Sequence, residues 1–222
     1  MKTKIISYSQ APALTGADPS LLDLVAYCAR VSNPGNQNNT ETNEKLVKYL
    51  IKHKHWSPLE MVSVCMEVET TRDIARQLLR HRSFSFQEFS QRYADPTKDL
   101  EFEIREARLQ DPKNRQNSVS TDDGLLQHGW ADMQQKVIDT ALEAYNYAVS
   151  NGIAKEQARA VLPEGNTLSR LYVNGTLRSW IHYIELRGSN GTQLEHMELA
   201  WAIADAIARI FPMAEEYKSK EI

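Results

Sequence analysis

Apolar positions along this chain recur mostly three and four apart, the period of a helix packed on one side, and alternate in only a few places. Residues 20–30 read as a helix, with Ser20 as N-cap and Leu21, Leu24, Val25 and Cys28 on one face. The run Ser32-Asn33-Pro34-Gly35-Asn36-Gln37-Asn38-Asn39 is a loop. Thr40 or Thr42 can then cap a helix striped by Leu46, Val47, Leu50 and Ile51, ending near His53 and His55. Residues 71–80 predict a helix with Ile74 and Leu78 inside and Arg72, Arg76 and Arg80 stacked four apart on the opposite face. That stripe runs into a mixed polar and aromatic loop, residues 80–93.

Residues 95–120 are polar, carry Pro96 and Pro112, and read as an exposed excursion or lid. A long helix follows over 121–150, with Leu125, Met133, Val137, Ala141, Leu142 and Tyr145 on its buried side and Asn151-Gly152 closing it. Helices over 155–162, 176–186 and 193–210 complete the set. The last has Leu194, Met197, Trp201, Ala204, Ala208 and Phe211 spaced as a seam for a neighbouring helix. Strand patterns appear at 4–9, at 61–69, where apolar and polar residues alternate, and at 167–174, with Gly175 starting the turn into the next helix. The expectation is an α+β fold: a helix-rich single domain, residues 1–222, with a small central antiparallel or mixed sheet.

Composition narrows the function classes. The 222 residues are 41% apolar and 25% charged, with a net charge of −3, so the whole chain is not a polycation built for nucleic acid. Yet the stretch from Arg72 to Tyr93 holds five Arg against Asp73 and Glu88, a local +3 that suits a small anionic ligand better than a long phosphate backbone. Two cysteines, Cys28 and Cys65, exclude a disulfide scaffold and read as buried free thiols. Too few apolar residues follow Met1-Lys2-Thr3-Lys4 for a signal-peptide core, and no run approaches the ~20 residues of a membrane span. A soluble cytoplasmic protein is expected, or one of the host cytoplasm if the source is a virus.

The candidate chemistry lies in Arg80-His81-Arg82-Ser83-Phe84-Ser85-Phe86-Gln87-Glu88-Phe89-Ser90-Gln91-Arg92-Tyr93. Guanidinium forks grip phosphate, Glu88 can accept from an imide or ribose hydroxyl, and four aromatic rings can stack on a base or flavin. His81, set between two Arg, is expected to be neutral. His182 and His196 sit on predicted helices, where single histidines are usually packing residues. No glycine-rich dinucleotide or phosphate loop is present, and neither cysteine has basic neighbours that would make it a nucleophile. Two rival readings are a non-catalytic RNA- or nucleotide-binding protein using the same Arg and aromatic residues, and a metal hydrolase using His53, His55 and His81. No metal-ligand spacing supports the latter.

These residues also form a recognisable order. Arg80-His81-Arg82, seven residues, then Ser90 and Arg92-Tyr93 resembles the signature of the flavin-dependent thymidylate synthases. His55-Trp56-Ser57-Pro58-Leu59-Glu60, Ala29-Arg30-Val31-Ser32, Ala158-Arg159 with Val161-Leu162-Pro163, Leu177-Arg178-Ser179-Trp180 and Glu185-Leu186-Arg187 resemble further blocks of that family, in the same order. The resemblance implies a homotetramer that binds FAD and converts dUMP to dTMP, with 5,10-methylenetetrahydrofolate as carbon donor, NADPH as reductant and no cysteine nucleophile. It places Gln77, Glu88, Ser90, Arg92, Arg159 and Arg187 on dUMP, and Ser32, His55, Arg80, His81, Arg82, Gln87, Glu88, Thr176 and His182 on FAD. Ser90 and Arg187 are the catalytic positions: Ser90 holds the pyrimidine, since no adjacent base would activate it, and Arg187 stabilises charge at a ring carbonyl. Its sites form between subunits, no metal is involved, and neither nucleic acid nor membrane is a partner. The chain departs from the family pattern at Gln87, Met61 and Gly191.

Overall fold

The fold, seen in a computed structural model that describes residues 1–11 and 20–218, is built on a four-stranded sheet in which every pair is antiparallel. Its strands are β1 (Lys2–Tyr8), β2 (Ser63–Thr71), β3 (Phe84–Glu88) and β6 (Leu168–Thr176), in the order β1-β2-β6-β3. Two short strands, β4 (Arg108–Gln110) and β5 (Ser118–Ser120), form a separate hairpin. The helices are α1 (Leu21–Ala29), α2 (Asn43–Lys52), α3 (Arg72–Leu78), α4 (Pro96–Asp99), α5 (Gly124–Ser150), α6 (Lys155–Ala158), α7 (Leu177–Arg187) and α8 (Leu194–Ala208). The α+β expectation holds, with the sheet fully antiparallel.

Alternation explains which face of the sheet is covered. Along β2, Val64, Met66 and Val68 point into the core and are fully buried. Leu171 and Val173 of β6 join them, and α7 and α8 close the layer with Trp180, Ile181, Ile184, Ala200, Ile203 and Ile207. Ala at positions 200 and 204 lets α8 approach closely. Trp180 is completely buried and donates its indole N–H to the carbonyl of Val64 at 3.1 Å, which ties α7 to the central strand. The capping expectations hold at α1 and at the end of α5, whereas Thr42 takes the N-cap position of α2 without a side-chain hydrogen bond. Ser20 and Asp23 form a reciprocal capping box at α1, and Gly152 takes φ of 79° after α5.

Several expected elements differ. The stretch read as a loop contains β3, which runs along β6 with Phe84 opposite Gly175 and Glu88 opposite Leu171. Two phenylalanines spaced by one residue gave the alternation, but the surrounding charges masked it. Gly175 accordingly lies inside β6 instead of opening a turn. Phe84 lies against it so closely that an added Cβ would come within 2.3 Å of the ring. The strand expected at 61–69 begins only at Ser63, because Pro58 sets a 3-10 turn over Ser57–Met61. The helix expected over 155–162 tightens after Ala158 into a 3-10 turn, Arg159–Val161.

The long helix keeps the expected stripe only in its second half, at Ala141 and Tyr145. Ile138, Ala141, Tyr145 and Ala148 face inward together with the amide of Gln134, while Leu125, Met133 and Val137 are exposed. Residues 95–120 are anchored rather than detached: Gln134 holds the backbone of Arg105, Gln127 holds Ala107, and Arg105 bonds Asp73 at 2.7 Å. Cys28 and Cys65 are free but only half buried, and burial raises the Cys28 thiol. Among the described residues no helix is long and apolar enough to cross a membrane.

Candidate active site

α3 and β3 carry the signature, and α7 and the first turn of α8 face them. The first cluster forms where these elements meet. Arg187, in the last turn of α7, donates its Nε–H to Nε2 of His81 at 3.0 Å. His81 therefore carries its proton on Nδ1. Burial, then the positive charges of Arg187 and Arg80, push its pKa down to about 4, so the ring is neutral as the sequence predicts. Arg187 keeps both terminal nitrogens of its fork, which have no hydrogen-bond partner among the described residues.

Gln77, on α3 four residues before His81, binds the same wall. Its Nε2 donates to Gln193 at 2.8 Å, and its Oε1 lies 3.1 Å from Nδ1 of His196. His196 is wholly buried, with its other nitrogen 3.1 Å from the Tyr183 hydroxyl. Sequence reasoning had set His196 aside as a packing residue. The structure shows both of its nitrogens engaged, a role no spacing rule signals because its partners come from α3 and α7.

The second cluster centres on Glu88. Its carboxylate accepts from Ser169 at 3.0 Å and lies 3.5 Å from both Arg72 and Arg76, while Glu164 faces the same two guanidinium groups. Arg72 is buried, so the Arg stripe is partly an internal ion network rather than a free basic face. Arg80 and Arg82 differ. Both are exposed, and among the described residues neither pairs with a carboxylate. They remain available to an anion.

A third group lies at Ser90, Arg92 and Tyr93, which with Lys155 and Glu156 line an open cleft of about 420 Å³. Arg92 pairs with Glu156 at 3.3 Å, and Arg159 follows at the end of α6. A fourth gathers Arg30 and Ser32 around a cleft of about 460 Å³ beside Tyr49. Tyr49 in turn contacts the rings of His53 and His55. His182 packs edge-on against Trp56 at 4.4 Å, and the side chain of Thr176 caps α7 by accepting from the Ser179 N–H. The carboxamide of Gln87 lies exposed on β3. One chain thus brings Gln77, His81 and Arg187 together but leaves Ser90, Arg92 and Arg159 apart from Ser32 and His55. Among the described residues no cluster of three His, Cys, Asp or Glu is placed to hold a metal ion.

The donor set fits a flavin dinucleotide. Arg80 and Arg82 offer unpaired cations to a diphosphate, and Tyr49, His53, His55 and the Trp56–His182 pair offer ring faces and polar edges.

Neutral buried histidines make stability depend on pH. Burial, then Arg187 and His81, push His196 down to about 3 from 6.5. The unfolded chain binds that proton below pH 6.5 and the folded chain does not, so the contribution is complete above that pH and is lost as pH falls. We expect unfolding in urea to show a loss of about 2 kcal/mol for this group alone between pH 7 and about pH 5. A flat profile over that window contradicts a buried neutral His196.

Comparison with known proteins identifies the family. Residues 14–213 match the family described as thymidylate synthase complementing protein. A protein of Paramecium bursaria Chlorella virus 1 named "Probable flavin-dependent thymidylate synthase" is 49% identical over 212 residues, covering 96% of each chain. The flavin-dependent thymidylate synthase of Synechocystis is 45% identical over 213 residues, again covering 96% of each. Among solved structures, the UMP/dUMP methylase PolB from Streptomyces cacaoi, bound with 5-Br dUMP, superimposes with a TM-score of 0.77 at 26% identity, over 97% of this chain and 93% of that one. The chain belongs to the thymidylate synthase complementing protein family, that of the flavin-dependent thymidylate synthases.

Proposed function

We infer that this chain converts dUMP to dTMP as a flavin-dependent thymidylate synthase. The carrying observation is the Arg80–Arg92 signature folded as the end of α3 and the edge strand β3, with Arg80 and Arg82 unpaired among the described residues and Arg187 opposed to His81. When bound, FAD supplies the hydride chemistry, with NADPH as reductant and methylenetetrahydrofolate as carbon donor. The chain's own residues position and polarise. Gln77, Glu88, Ser90, Arg92, Arg159 and Arg187 bind dUMP. Ser32, His55, Arg80, His81, Arg82, Gln87, Glu88, Thr176 and His182 bind FAD.

Arg187, steered by His81, directs its free fork at the pyrimidine carbonyl, where negative charge develops as the ring becomes nucleophilic. Ser90 holds the pyrimidine. The cleft around it supplies Arg92, Lys155 and Glu156; Glu156 is paired with Arg92 and Lys155 donates to the Tyr93 carbonyl, so among the described residues the cleft offers the hydroxyl no unengaged base. Arg92 and Arg159 take the phosphate.

The separation of these groups within one chain supports sites shared between subunits of a homotetramer. The exposed Leu125, Trp130, Met133 and Val137 on α5 support burial of that helix against another copy of the single-domain chain. The family match favours the enzyme over the nucleic-acid-binding alternative. Anaerobic titration of flavin-loaded protein is expected to show the flavin band bleached by NADPH, followed by dTMP formation once dUMP and methylenetetrahydrofolate are added. Protein that takes up no FAD and makes no dTMP overturns the reading.

A further inference from the structure

A line of hydrogen bonds runs from the first turn of α8 to the middle of α7 and passes through Gln77. Its direction follows from one end. Glu195 is buried, and although burial alone would raise it, hydrogen bonds led by that of Arg108 hold its carboxyl below the usual range. An ionised carboxylate only accepts. Gln193 must therefore turn its NH2 toward Glu195, where Nε2 to Oε2 is 3.0 Å, and its carbonyl toward Gln77. Gln77 must in turn offer N–H to Gln193 and its carbonyl to His196. His196 can meet that carbonyl only with a proton on Nδ1, which leaves Nε2 bare to accept from the Tyr183 hydroxyl. Tyr183 is fully buried and held protonated by burial, so it can serve as that donor.

We propose that His196 is a positioning residue for substrate: as its Nδ1–H tautomer it clamps the Gln77 carbonyl, so that the second N–H of the Gln77 amide faces the pyrimidine nucleotide. Gln77 is half buried, so one edge of its amide stays accessible. Both heteroatoms of that amide are engaged by the protein in one sense only, and a flipped amide would set carbonyl against carbonyl at Gln193 and N–H against N–H at His196. The amide thus presents a donor, which matches an acceptor oxygen of a uracil ring or of the nucleotide's sugar and phosphate. A purely structural buried histidine would also satisfy both nitrogens; what distinguishes His196 is that one of its two partners is the half-buried amide of Gln77. This inference rests on the assignment of Gln77 to dUMP.

Two measurements test it. In the flavin-loaded wild-type protein, long-range nitrogen-15 spectra should show His196 protonated on Nδ1 and bare on Nε2, the reverse of the tautomer that dominates for free imidazole side chains. The opposite tautomer overturns the clamp with no variant needed. His196→Asn retains a donor near Nδ1, whereas His196→Gln places its amide nearer Nε2. Affinity of the flavin-loaded protein for dUMP should stay within about threefold of wild type in His196→Asn and fall about tenfold in His196→Gln, the size expected for one lost neutral hydrogen bond, with flavin content equal in both. Equal losses in both variants, or none in either, overturn the positioning role while dUMP binding by wild type stands. Failure of the wild type itself to bind dUMP overturns the assignment of Gln77, and the positioning role with it.

Discussion

Replacing Arg187 by Ala is expected to weaken dUMP binding about 100-fold while the protein still copurifies with FAD. The magnitude is that of removing one charged partner from a desolvated anion or polarised carbonyl, roughly 2–5 kcal/mol. At about 2.7 kcal/mol the loss corresponds to two decades in affinity. The asymmetry between ligands follows from geometry. Arg187 projects from the last turn of α7 and gives its Nε–H to His81, so its two remaining nitrogens are directed by a neutral ring rather than by a carboxylate that would neutralise them. Of the proposed flavin contacts, His81 is bonded to Arg187, while those at Arg80, Arg82 and His182 are not, so most of the flavin site survives the substitution. Equilibrium dialysis of dUMP, alongside the flavin spectrum of the same sample, measures both quantities. A dUMP affinity within threefold of wild type would remove Arg187 from the substrate site. Arg187→Lys should recover little, because a point charge at that place cannot bond His81 and the ligand together in the same fork geometry.

The second large effect is on the fold. Trp180→Ala is expected to cost about 3–5 kcal/mol, the range for truncating a buried aromatic side chain. Trp180 is fully buried, its ring lies 4.4 Å from Phe84, and its indole bonds the Val64 carbonyl. Truncation leaves a cavity between α7 and the sheet and removes the indole hydrogen bond to the central strand. Against a total stability of order 5–15 kcal/mol, this removes a large share of the margin. Because α7 also carries His182, Tyr183 and Arg187, the site should loosen before the chain unfolds. Urea denaturation of the purified variant decides it: a midpoint unchanged from wild type would mean that Trp180 is not the link between α7 and β2. Trp180→Phe retains most of the ring and should cost less, with the residual loss reflecting the indole hydrogen bond.

These two residues also mark what the linear sequence conveyed. Trp180 lies in a helical run, and its neighbours Leu177, Ile181 and Ile184 announce a buried face by spacing alone. Arg187 was found through an ordered set of short blocks, since an Arg at a helix end has no chemical mark of its own. By contrast, β3 was hidden. Its five residues lie in a charged stretch, and edge pairing to β6 is a nonlocal contact that no short window contains.

Helix periods, caps and the separation of the chain into helices and a small sheet were decided by local sequence, because side-chain spacing and capping oxygens act within one or two turns. The nature of the ligands was also legible, through Arg residues crowded beside aromatic rings in a net-negative chain. Only the tertiary structure decided which charges are already satisfied. Arg72 and Arg76 meet Glu88 and Glu164, while among the described residues Arg80 and Arg82 are left without carboxylates. It also decided that the outer stripe of α5 is exposed, and that His196 is bonded through both nitrogens between α3 and α7. The physical reason is common to all three. Electrostatic pairing and burial depend on distance in space, and these partners, from Arg72 with Glu164 to Gln77 with His196, meet only after the sheet has brought remote segments together.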